Sequence, residues 1–295
     1  MEIDFRNLEC FLEWLVRSQV RGVFAVCQSS EMFFLSLRER LLLARKVCEI
    51  IKGRVPVLGS GHVSAGLEDQ KYELEAMADT GIDALVLVVN RIPGSDGDED
   101  LFRRSFLDLL SIIPDKVEIG LYECPYPEHL TLSLSMIKWL ATETRTTFLK
   151  DTSSNPAVQK ARANFTTGTR LKLFNANSAS LLDSLDNGYT GFSGVMGNIQ
   201  PLLYQRLCEW KEGLSQETAE ELSMFLGVTS LFERQLYPAN AKYYLSLAGI
   251  PMETVCRSID YKRFTPSMAL ETEQLFQMSR RMEEQNRSFV DDLHE

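Results

Sequence analysis

Two side chains in this sequence are placed to do covalent chemistry together. Lys150 ends the apolar run Thr146-Thr147-Phe148-Leu149-Lys150, and Tyr122 ends the run Val117-Glu118-Ile119-Gly120-Leu121-Tyr122. If these runs are neighbouring parallel strands, about 4.8 Å apart, the amine and the phenol stand side by side at the strand ends. An amine beside a proton carrier suits Schiff-base formation with a carbonyl, the phenol moving protons to and from the carbinolamine and the departing oxygen. At its ordinary pKa of about 10.4 only about one lysine in 2,500 is neutral at pH 7, so such a nucleophile requires burial or a nearby cation. A third segment, Cys27-Gln28-Ser29-Ser30-Glu31, follows another apolar run and offers the Ser29 hydroxyl as an onward relay.

The elements that must position these groups follow from periodicity. Short β-rich runs at 22–27, 55–58, 84–89, 117–122, 146–150, 171–174 and 189–192 read as strands. Between them, 36–52, 65–80, 99–112, 133–142, 155–164, 178–187 and 201–212 read as amphipathic helices; Leu37, Leu41, Ala44 and Cys48 show the spacing. The cadence of about 30 residues per unit matches a (β/α)₈ TIM barrel, in which functional side chains sit at the C-terminal strand ends. A barrel needs an eighth strand, yet the first 20 residues read as a helix capped by Asp4, with Phe5, Leu8, Leu12, Leu15 and Val16 on one face. The first barrel strand is therefore expected to be missing, as in a chain that starts late. Residues 1–213 are read as the barrel. Residues 214–295 are read as a C-terminal helical appendage, with helices at 217–226, 239–248 and 266–293; the stripe Leu275, Met278, Met282 and Phe289 would serve docking or oligomer contact.

Composition narrows the partners. The 295 residues are 44% apolar and carry 31 basic against 41 acidic side chains, a formal net charge of -10. That balance argues against nucleic acid, whose affinity comes mainly from neutralised phosphates. No apolar stretch approaches the ~20 residues that cross a bilayer, and the N-terminus lacks a signal peptide's order, so a cytoplasmic enzyme is expected. Cys10, Cys27, Cys48, Cys124, Cys208 and Cys256 form no C-x-x-C pair, and three histidines offer no metal spacing, so metal catalysis is disfavoured, with Mg²⁺ left open. The acidic loop from Asp96 to Asp100 lacks the spacing of a calcium loop and reads as a solvated lead into a helix. Gly59-Ser60-Gly61-His62-Val63-Ser64 reads as a strand-to-helix turn rather than a dinucleotide loop.

The order of these motifs resembles the dihydrodipicolinate synthase / N-acetylneuraminate lyase family of class I aldolases. The likeness rests on the turn ending in Glu31, on Leu121-Tyr122-Glu123-Cys124-Pro125, and on Phe148-Leu149-Lys150-Asp151-Thr152-Ser153. It continues through Asn187-Gly188-Tyr189-Thr190-Gly191 and Gly197-Asn198, and spans roughly 4–204. The resemblance implies that Lys150 forms a Schiff base with a 2-oxo acid, pyruvate above all, to cleave or form a C–C bond with an aldehyde, and that Tyr122 relays protons. It also implies that Gln28 and Ser29 bind the carboxylate, that no cofactor is used, and that the chain is a homo-oligomer, a dimer or a tetramer built from dimers. In the family a strand precedes the first helix.

Three departures bear on substrate. Gln28 stands where the family's turn, Gly-Thr-Thr-Gly-Glu, has its first threonine. Asn90-Arg91-Ile92-Pro93 stands where synthases carry Pro-Tyr-Tyr, and Pro127 stands about where they carry an aldehyde-binding arginine. The Schiff-base pair is kept while the residues that select aspartate semialdehyde are replaced, so true dihydrodipicolinate synthase activity is not expected. Arg91, Gly191 and Ser193 are the remaining substrate-binding candidates. His62 and Glu123 are two more, for an acidic or hydroxylated distal group; the plainer roles are a rim salt bridge for Arg91 and Glu123 and a turn hydrogen bond for His62. A thiol nucleophile at Cys27 or Cys124 has no paired base in the pattern. Two rivals remain: a barrel isomerase holding a sugar phosphate near Asn175 and the glycines from Gly191 to Gly197, and a non-catalytic 2-oxo acid or sugar-acid binding protein.

Overall fold

Alternating apolar runs and amphipathic segments become alternating strands and helices because each helix can bury its stripe only against a sheet. The computed structural model describes residues 2–291. In chain order the elements are α1 (Phe5–Arg17), β1 (Val23–Val26), α2 (Leu37–Ile51), β2 (Val57–Gly59), α3 (Leu67–Ala78), β3 (Ala84–Val88), α4 (Glu99–Ser111) and β4 (Glu118–Tyr122). There follow α5 (Leu134–Glu143), β5 (Thr146–Asp151), α6 (Pro156–Thr166), β6 (Lys172–Asn175), α7 (Leu181–Asp186) and β7 (Gly191–Phe192). The remainder is helical: α8 (Pro201–Cys208), α9 (Trp210–Gly213), α10 (Gln216–Thr229), α11 (Ala239–Leu247) and α12 (Pro266–Asp291).

The chain divides into two compact units. The larger holds residues 21–176 and 183–191, and with them β1 to β6. The strands run in sequence order, β1 to β7, and every pair from β1/β2 to β5/β6 is parallel. All five residues of β3 are buried, as expected of a strand covered on both faces. The helices turn apolar stripes inward: Leu43, Ala44, Val47 and Ile51 on α2, Phe102, Phe106 and Leu109 on α4, Met136, Ile137 and Leu140 on α5. Their starts are set by side-chain caps. Ser36 and Glu39 form a reciprocal capping box on α2, Ser133 caps α5, and Asn155 with Pro156 opens α6. The acidic loop ends as Asp98 capping α4, with Glu99 and Asp100 in the first turn, where carboxylates complement the helix dipole.

Among the described residues, the second unit holds 2–20, 177–182 and 192–291. Asp4 caps α1 by accepting from the Asn7 N–H, and Leu12 and Leu15 are its buried residues. Within the unit, Tyr244 meets Phe276 edge to face and Gln200 Nε2 donates to Ser279 Oγ at 2.8 Å. On α12 Leu275 is buried while Met278 is exposed, so the expected stripe is only partly inward. The side chain of Phe289, and Leu293 and His294, lie outside the described residues.

Two boundaries differ from the periodicity for visible reasons. The run 189–192 yields strand only at Gly191–Phe192, because the Tyr189 N–H returns to the Ser184 carbonyl and closes α7. The segment 201–212 breaks at Glu209, which leaves helical geometry between α8 and α9. Among the described residues no helix is long and apolar enough to cross a membrane.

Candidate active site

Strand alternation sorts the ends of β4 and β5 into two sets. The pairing places Tyr122 beside Lys150 and Lys150 beside Phe174. One set faces an aromatic interior: Lys150 Nζ lies 4.5 Å from the centre of the Tyr122 ring and 5.9 Å from that of Phe24. Phe24 packs edge-on against both Tyr122 and Phe148, and Phe148 packs against Phe174. Gly120 makes this possible, since a Cβ there would lie 2.8 Å from Phe148 Cδ1. Tyr122 is 3% exposed and Lys150 7%, so the amine and the phenol share a largely dry site at the ends of adjacent strands.

The other set is ionic. Glu123 and Asp151, each one residue beyond its partner above, are fully buried on a single arginine, Arg162 of α6. Arg162 donates to Glu123 Oε1 at 2.7 Å, to Glu123 Oε2 at 3.0 Å, to Asp151 Oδ2 at 2.8 Å and to the Leu132 carbonyl at 2.7 Å. Tyr189 donates to Asp151 Oδ2 at 2.5 Å, and the backbone N–H groups of Leu132 and Thr152 close on Glu123. Burial pushes both carboxyls up; for Asp151 the Arg162 guanidinium and the Tyr189 and Ser153 donors reverse this and hold it below the usual range, whereas Glu123 stays above it. Burial would lower Arg162, but its two carboxylates raise it. The cluster fastens the ends of β4 and β5 to α6 directly behind the amine and the phenol.

The turn after β1 supplies the third component. Ser30 holds it, its hydroxyl donating to the Cys27 carbonyl and accepting from the Cys27 N–H, each at 2.8 Å, while Glu31 takes a left-handed conformation at φ 58. Gln28 is thereby presented to Tyr122, whose hydroxyl donates to Gln28 Oε1 at 3.2 Å; the Cys124 thiol donates to the same oxygen at 3.6 Å. Burial pushes the Cys124 thiol up, away from the thiolate a nucleophile requires. Ser29 is half-buried in the same turn.

The remaining residues marked out by the sequence are placed as follows. His62 is fully buried; its Nε2 accepts the Val88 N–H and its Nδ1 faces Gln70 Oε1 at 3.1 Å, so it continues the hydrogen bonding of the sheet. Burial lowers its pKa to about 4. Arg91 is half-buried and donates from Nε and Nη2 to the Val63 carbonyl. Asn175 bridges Gln159 and Ser184 inside the larger unit. Gly191 ends that unit and Ser193 belongs to the other. The structure thus brings Gln28, Tyr122 and Lys150 together and engages Arg91 with the loop before α3.

Sequence reasoning missed Phe24 and the Arg162 cluster. The available signal was the inward stripe of α6, which sets Gln159, Arg162 and Thr166 at helical spacing beside Ala163.

Comparison with known proteins agrees with this architecture. The chain belongs to the dihydrodipicolinate synthetase family, whose model matches residues 1–278. A 4-hydroxy-tetrahydrodipicolinate synthase of Methanococcus maripaludis is 25% identical over 258 residues, covering 85% of this chain and 84% of that protein. The enzyme of the same name from Methanocaldococcus jannaschii is 25% identical over 261 residues, covering 86% and 82%. Among solved structures, an Escherichia coli K12 prophage protein of the dihydrodipicolinic acid synthase family, in complex with pyruvate, superposes with a TM-score of 0.83 at 20% identity, covering 95% of this chain and 93% of that one. The Thermotoga maritima dihydrodipicolinate synthase gives 0.82 at 16% identity, covering 94% and 93%. The fold is therefore the α/β fold of these synthases, and the family is one of enzymes of the class I aldolase type.

Proposed function

We propose that this protein is a class I lyase or aldolase in which Lys150 forms a Schiff base with a 2-oxo acid, pyruvate in the simplest case. The observation that carries this reading is the buried pair, Lys150 Nζ at 4.5 Å from the Tyr122 ring centre on neighbouring, register-matched strands. Family membership and the pyruvate held by a structural neighbour support it. Nζ attacks C2 of the oxo acid, Tyr122 protonates the leaving hydroxyl, and the iminium draws electrons from C3 so that a C–C bond there is broken or made. Ser29 and the backbone of its turn are assigned to the carboxylate; Arg91 and Gly191 are assigned to the rest of the substrate. No cofactor enters these steps.

The aldehyde partner is proposed to differ from aspartate semialdehyde, because Asn90-Arg91-Ile92-Pro93 and Pro127 replace residues that the resemblance assigns to its selection. The relatives carrying the synthase name make that aldehyde the first to offer. Borohydride reduction with pyruvate and mass mapping tests the core of the proposal: an adduct is expected on Lys150, and none with any 2-oxo acid overturns it. Turnover of aspartate semialdehyde at a rate matching a true synthase would overturn the second part. A second reading, a 2-oxo acid binding protein without turnover, is favoured by Gln28, since an amide replaces a hydroxyl beside Tyr122. An adduct that neither cleaves nor condenses with any aldehyde would select it.

A further inference from the structure

We propose that Gln28 is a positioning residue that confines the phenolic proton of Tyr122 to the site, so that the proton taken from C3 of the bound oxo acid returns to substrate more often than it escapes to solvent. This rests on the Schiff-base reading above.

The geometry is specific. Tyr122 has one proton and donates it to Gln28 Oε1 at 3.2 Å; the buried Cys124 thiol converges on the same oxygen at 3.6 Å. An amide oxygen accepts a hydrogen bond but is not basic enough to take the proton, and it has no O–H to pass one on. A hydroxyl accepts and donates at once and conducts; a carboxamide does not. Gln28 has a second property a hydroxyl lacks: turned over, it presents N–H to a phenolate. One side chain thus stabilises Tyr122 in either protonation state without carrying its proton away. Tyr122 at 3% exposure has little direct contact with bulk water.

The steps balance with that single proton. Tyr122 gives its proton to the carbinolamine hydroxyl, the C2–O bond breaks and water leaves, giving iminium and phenolate. The phenolate then removes a proton from C3. The C–H electron pair becomes the C2–C3 double bond of the enamine, and the iminium nitrogen is neutralised. Tyr122 now holds the C3 proton, and delivers it either back to C3 or to the aldehyde oxygen as the new C–C bond forms.

The test follows deuterium incorporation into the methyl group of pyruvate in heavy water by proton NMR, beside borohydride trapping of Lys150, for the full chain and for Gln28→Thr and Gln28→Glu. A hydroxyl and a carboxylate both pass protons, so each variant is expected to exchange methyl hydrogen about 10- to 100-fold faster than the unaltered protein at equal trapping. Circular dichroism identifies a variant that fails to fold, and either variant alone decides. Equal exchange rates at equal trapping overturn this inference and leave the Schiff base standing. Absence of any adduct in all three proteins overturns the Schiff-base reading and this inference with it.

Discussion

Lys150 and Asp151 are adjacent in the chain and face opposite environments, one an aromatic interior, the other a buried guanidinium. Lys150→Ala is expected to abolish borohydride trapping with the fold intact by circular dichroism. Tyr122→Phe keeps the amine and the ring but removes the proton carrier; turnover is expected to fall about 10²- to 10⁴-fold in steady-state assays. His62 offers a pH test. Its folded pKa is about 4, against an ordinary 6.5, because it is buried neutral with Nε2 accepting from Val88. Between those values the unfolded chain binds the proton and the folded one does not, so stability falls as pH drops from 6.5 to 4. The loss amounts to about 3 kcal/mol. Urea midpoints at pH 7 and pH 4 should show this drop in the unaltered protein and not in His62→Gln; parallel pH profiles would refute it.

At the scale of elements, the ends of β4 and β5 are kept together by two devices. Gly120 leaves room for Phe148 beneath the site, so Gly120→Ala is expected to cost about 1–3 kcal/mol through overpacking and to slow adduct formation as Phe148 shifts toward Lys150. Arg162 is the second device. Arg162→Ala strands Glu123 and Asp151 without a cation and is expected to cost about 3–5 kcal/mol at pH 7. The gap should narrow as pH falls toward 4.5, since protonation of the stranded carboxyls relieves the variant, while the unaltered protein keeps the contribution of its depressed Asp151 until the pH falls below the ordinary aspartate range; thermal melts at the two pH values measure it. These devices also show what could be read in advance. Strand positions were legible because runs such as 84–89 and 146–150 are short, β-rich and bounded by turns, and the Tyr122 and Lys150 pair was legible because both residues end such runs. The Arg162 cluster was not: its members lie on β5, on α6 and in separate loops, and an arginine on a helix ordinarily signals the solvated face. For the same reason the sequence suggests a rim or substrate-facing Glu123, whereas it is fully buried. Gln28 could be seen to replace a hydroxyl, but only the fold shows that its oxygen receives both Tyr122 and Cys124.

At the scale of the molecule, the net charge of -10 and a pI near 5.0 place the solubility minimum close to pH 5, where light scattering should rise and then fall again as salt or pH is raised. An anionic substrate is compatible with this charge because a covalent imine and local donors hold it without a broadly basic surface. Biosynthesis imposes a different demand. The sheet is paired in chain order, so each strand can add to the last as it is made. Glu123 breaks that convenience, for its counter-ion lies 39 residues downstream on α6 and the last donor to Asp151, Tyr189, a further distance on. A growing chain that has completed β4 and β5 therefore holds two carboxylates that cannot yet be taken out of water. Nascent chains arrested before Arg162 emerges are expected to remain open to protease through these two strands, and those arrested beyond Tyr189 to be closed. The amine and the phenol would then come into register late, only after the charges behind them have been neutralised.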